Sequence, residues 1–66
     1  MDPNATWRSL AEAVAAEDWA KAEEHANDLH EWINRGGFAP TITGQPAFDR
    51  VVAINTCISI LTWDVA

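Results

Sequence analysis

An all-α domain of three helices is predicted by three features of this chain. Apolar residues recur at three- and four-residue spacing in two successive stretches, one starting at Trp7 and one at Trp19. A Gly36–Gly37 pair then stops the pattern, and Pro46 opens a third apolar stretch of the same period. With 66 residues, the chain has room for one domain, 1–66, with 36–45 as a connecting loop. A domain this small buries only about 60% of its unfolded surface, so its core needs reinforcement. The single Cys57 excludes an internal disulfide, and no Cys/His cluster points to a structural metal. What remains is tight packing, helped by four Trp residues, or oligomerisation.

The first helix is expected over about 4–16. Asp2 or Asn4 can cap it, and Pro3 suits a first turn because its missing N–H has no helical partner there. Trp7, Leu10, Ala11 and Val14 form its apolar stripe, with Arg8, Ser9 and Glu12 opposite. Glu17–Asp18 breaks that stripe, and Asp18 is placed to cap a second helix over about 18–35. There Trp19, Ala22, Ala26, Leu29 and Ile33 fall in one narrow sector. Gly36–Gly37 supplies the left-handed stop, with Arg35 near the negative end of the helix dipole.

The loop 36–45, rich in Gly, Pro and Thr, is longer than most helix–helix joints, and Phe38 is placed to fold back on the second helix. A third helix is expected over about 46–63. Ala47, Val51, Ile54, Ile58, Leu61 and Val65 recur at spacings of four and three, a heptad-like seam. Alternating β-branched residues, Val52 to Thr62, also fit a strand. Helix is favoured because a lone strand has no partner elsewhere in the chain. The core predicted from these stripes is Trp7, Trp19, Leu29, Ile33, Val51, Ile54 and Ile58.

Charge narrows the function classes. Ten acidic residues against four basic ones give a net charge of −6, which phosphate backbones and anionic membranes repel. No secretory leader or membrane span is evident, and one unpaired cysteine fits a reducing cytoplasm. His25 and His30, five residues apart, point about 140° away from each other and cannot share an ion. They read as boundary residues, and no metal or cofactor is expected. Cys57 has no neighbouring cation to stabilise a thiolate and reads as a buried structural residue. Neither a nucleophile elbow nor a phosphate loop is present, so no catalytic residue and no enzymatic activity are expected.

The third helix carries the functional signal. Beyond its seam it places Phe48, Val52, Ile60 and Trp63 elsewhere around its circumference, and a helix apolar on most sides is buried on most sides. Two partner helices do not enclose it easily, so these residues, with Trp32, are the expected interaction surface. Dimerisation would complete the fold. Glu24, Asp28 and Glu31 form an acidic stripe that serves either as a solvated face or as a docking stripe for a basic partner.

The first 35 residues resemble one tetratricopeptide-repeat hairpin. Trp7, Leu10, Ala11 and Val14 match the Trp, Leu, small residue and Tyr of that motif's first helix. Asp18–Trp19 is similar to its Gly-Asp-Tyr turn, and Ala22 to the small residue of its second helix. One turn residue and the turn glycine are missing, Ala26 replaces a bulky aromatic, and no second copy follows. The resemblance implies a helical hairpin used in protein binding. The expected function is a non-enzymatic protein–protein interaction module that self-associates. The alternative is an acidic inhibitor or regulator occupying a basic site on a nucleic-acid-binding protein.

Overall fold

A computed structural model describes residues 1–63. They form α1 (Pro3–Ala15), α2 (Trp19–Asn34) and α3 (Pro46–Leu61), and no strand occurs among them. The helices run up, down and up. The start of α2 meets the end of α3 where Trp19 and Trp63 stack with ring centroids 5.1 Å apart. Both α1 and α3 pack extensively on α2, the central element.

Local chemistry sets each boundary. The Asp2 carboxylate accepts from the N–H of Asn4 at 3.0 Å and of Ala5 at 3.4 Å, and Pro3 occupies the first turn of α1. At the other end, the N–H of Glu17 reaches the carbonyl of Val14, and the N–H of Asp18 reaches that of Ala13. This paired closure needs one residue in the left-handed region, and Glu17 takes it with φ 55°. The turn glycine missing from the sequence therefore leaves its conformation behind, adopted by a residue that pays for it in steric strain. Asp18 caps α2 immediately by accepting from the N–H of Lys21. Gly36, at φ 92°, closes α2 in the same way. Gly37 has a different role. A Cβ there would collide with the indole of Trp32, so only glycine lets the chain pass over that ring.

The loop crosses the end of the hairpin. The N–H of Thr41 donates to Asn4 Oδ1 at 2.7 Å, and Pro40 and Pro3 are both fully buried. Gln45 caps α3 by accepting from the N–H of Phe48, and Pro46 opens the helix. The Thr56 hydroxyl within α3 and the Thr62 hydroxyl at its C-cap donate to the carbonyls four residues back, which accommodates these β-branched polar residues.

The core differs from the expected one in α3. Buried residues are Leu10, Ala13, Ala22, Ala26, Leu29, Ile33, Ala53, Cys57 and Ile60, with Trp7, Trp19 and Ile54 half-buried against them. Val51 and Ile58, expected inside, are 51% and 43% exposed. The helix is rotated so that Asp49, Ala53, Cys57 and Ile60 face inward. The cause is Asp49, only 3% exposed, whose Oδ1 accepts from both the N–H (2.7 Å) and the hydroxyl (2.6 Å) of Thr43. A buried carboxylate must be hydrogen-bonded, and the loop donors lie only on this side.

Two outcomes follow. Glu17→Gly should raise stability by up to about 1 kcal/mol, read from urea unfolding, because it relieves the left-handed strain. The hydroxyl of Thr43 holds the Asp49 carboxyl below its ordinary pKa, assisted by backbone N–H groups and opposed by burial. A depressed folded pKa adds stability above the unfolded value, near pH 4, and loses it as pH falls through the folded one. Asp49→Asn should therefore be less stable than the parent at pH 7, with the gap narrowing towards pH 2.

Candidate functional site

The rotation of α3 exposes the seam that the sequence had suggested for the core. Ala47, Val51, Ile58 and Leu61 are exposed and Ile54 is half-buried. On a wheel of about 100° per residue these five span about 80°, centred about 120° from the buried stripe. The result is a continuous apolar ridge of coiled-coil spacing on the outside of the molecule. Phe48, 56% exposed, flanks it at the amino-terminal end.

A second apolar surface lies on the other side of α3, in the trough between α1 and α3. There Trp7, Val14, Val52 and Thr56 line a groove of about 370 Å³. It adjoins another of about 360 Å³, which shares Val14 and Thr56 and ends at Trp19 and Trp63. The groove exists because α1 and α3 each pack on α2 far more than on each other. Thr56 brings the one hydroxyl of the first groove, and that hydroxyl donates back to Val52 in its own helix.

The expected interaction residues do not share one surface. Phe48 and Trp63 are exposed, and Val52 is half-buried in the groove wall. Ile60 is not a surface residue, since only 7% of it is exposed and it belongs to the core. Trp32 is half-buried. Its Nε1–H donates to the carbonyl of Phe38 at 3.0 Å, and its ring meets Phe38 edge-on at 6.0 Å, so it anchors the loop. Val65, the last residue of the expected seam, lies outside the described residues. Periodicity predicts the seam residues Val51, Ile58 and Leu61 inside, and the structure places them at the surface. Only the buried acid at Asp49 signals it, because a charge inside the helix's inner face moves the apolar stripe outward.

The acidic candidates Glu24, Asp28 and Glu31 are all exposed along α2. His25 and His30 are half-buried at the edges of α2, and the amide nitrogen of Asn34 lies 3.1 Å from His30 Nδ1. Among the described residues, no group of three potential ligands gathers to hold a metal ion, and no helix is long and apolar enough to cross a membrane. Compared with known proteins, the chain matches no family model, no curated protein and no solved structure.

Cys57 is fully buried, and burial pushes its thiol up to about 11. Only the thiolate reacts and burial also denies the reagent access, so alkylation at pH 8 should be at least about 100-fold slower in the folded protein than in urea. Mass spectrometry of iodoacetamide adducts over time checks this.

Proposed function

We propose that this chain is a non-enzymatic protein-interaction module that self-associates through the exposed face of α3. The observation that carries the reading is the ridge of Ala47, Val51, Ile54, Ile58 and Leu61, apolar, heptad-spaced and at the surface. With Phe48 it presents roughly 400 Å² per copy, within the range of functional patches and about half of a standard interface. A patch of that size supports a weak, reversible dimer rather than an obligate one. Its one free, buried thiol suits a reducing compartment such as the cytoplasm.

Charge favours the same surface. Residues 1–45 hold eight acidic and three basic residues, a net −5, whereas Val51 to Trp63 carry no charge at all. Two copies repel each other everywhere except where their α3 faces meet, so nucleic acid and anionic membranes are not the partners of this module. The exposed stripe Glu24, Asp28 and Glu31 supports a second reading, an acidic regulator seated on a basic site. The two readings predict opposite responses to salt. Self-association tightens as salt screens like charges, whereas docking on a basic partner weakens.

Sedimentation equilibrium from about 10 µM to 1 mM should show a reversible monomer–dimer system that strengthens between 0.05 and 0.5 M NaCl, with a melting temperature that rises with concentration. The double variant Val51→Lys and Ile58→Lys should keep the parental helical circular dichroism and remain monomeric. A strictly monomeric parent at 1 mM would remove the reading, and a variant that still dimerises would move the interface away from the ridge.

A further inference from the structure

Resting on that reading, we infer that the two α3 helices of the dimer pair antiparallel, with Val51 opposite Leu61 of the partner subunit and Ile54 opposite Ile58 of the partner subunit. Three properties of the ridge converge on this orientation. The first is shape. The ridge tapers from Ala47 at the amino end to Leu61 at the carboxyl end. A parallel pair would set two alanines against each other at one end and two leucines at the other, leaving an unfilled layer. The antiparallel register averages the small and large ends, so its four central layers are of near-equal size and hold a near-constant helix separation. Parallel layers instead grow steadily from valine to leucine.

The second property is the identity of the layer residues. Counted as heptads, Val51 and Ile58 occupy the first core position, and Ala47, Ile54 and Leu61 the second. Parallel two-stranded pairs favour β-branched residues at the first and leucine at the second. Ile54, β-branched at the second position and central in the ridge, breaks that preference. In an antiparallel pair each layer combines one position of each kind, so Ile54 meets Ile58 of the partner subunit in a mixed layer.

The third is charge. Among the described residues of α3, Arg50, exposed on the flank of the ridge, is the one charged neighbour, because Asp49 is buried against the loop. It stands just past the first turn of α3, on the side of the helix that carries the positive end of the dipole. Parallel pairing brings two positive helix ends and two Arg50 side chains together. Antiparallel pairing sets each Arg50 beside the carboxyl-terminal turn of the partner helix, where the last carbonyls lack helical donors.

Disulfide trapping of the full chain tests the orientation. Singly substituted Val51→Cys and Leu61→Cys chains are mixed at about 200 µM in a glutathione redox buffer, and Ala47→Cys is treated alone. The mixed disulfide between the first two should exceed either self-disulfide by about tenfold, as read by mass spectrometry with peptide mapping to exclude Cys57. In this register, two copies of position 47 lie eighteen residues apart along the helix, about 27 Å, so Ala47→Cys should remain uncrosslinked. Dominant self-disulfides, or efficient crosslinking of Ala47→Cys, would overturn the antiparallel pairing while leaving self-association intact. Equal amounts of mixed and self-disulfides would overturn it as well. Absence of any dimer of the parent chain by sedimentation would overturn both statements together.

Discussion

The bond between Asp49 and the 41–45 loop decides which side of α3 faces inward. One carboxylate oxygen takes both donors of Thr43, and no buried polar side chain among the described residues is left without a partner. Because a helix is rigid about its axis, fixing position 49 also fixes Ala53, Cys57 and Ile60 on α2. The same rotation carries Val51, Ile58 and Leu61 outward. Core and candidate interface are thus two consequences of a single polar contact.

That rotation suits the surface of α2. Its inner face presents Ala22 and Ala26 beside Leu29 and Ile33, and α3 answers with Ala53 and Cys57. Small residues on both sides let the axes approach closely and keep interior contacts dense. The ridge residues, all larger than alanine apart from Ala47, would hold the helices apart if they faced α2. The compact interior comes at a thermodynamic cost, since alanines bury little apolar area. Four of the nine core residues are alanines. Apolar area that a larger core would have enclosed lies instead on the exterior of α3, where a second copy can cover it.

The helices themselves were legible in the sequence because each is bounded by residues that act locally. Asp2, Asp18, Pro3, Pro46 and Gly36 take the roles their chemistry implies. The stripe of α2 was legible too, since only one of its faces is apolar. The rotation of α3 was not. Apolar residues surround that helix, so periodicity alone ranks the ridge at 47, 51, 54, 58 and 61 above the true inner stripe at 49, 53, 57 and 60. The true stripe contains an aspartate, an alanine and a cysteine, and its meaning depends on Thr43, six residues upstream in a loop. For this reason the apolar pattern points Val51 inward and Ile60 outward, the reverse of their places in the structure. Glu17 was obscure in another way, because a left-handed glutamate follows from the closure of α1 and not from its own preference.

Acidic charge and apolar ridge are best understood together. An exposed heptad stripe on a neutral protein invites association with many apolar surfaces, including those of unfolded chains. Here it is mounted on a body of net −5 whose excess acidic charge lies along α2 and at the helix caps and turn, at Asp2, Glu17 and Asp18. Any approach that does not bring uncharged α3 to an uncharged surface meets like-charge repulsion or leaves a carboxylate poorly solvated. The acidic residues therefore restrict what the ridge can meet without contributing to the contact itself. A small core, a rotated helix and an acidic coat together make the ridge of α3 the surface on which two such chains can come together at the least electrostatic cost.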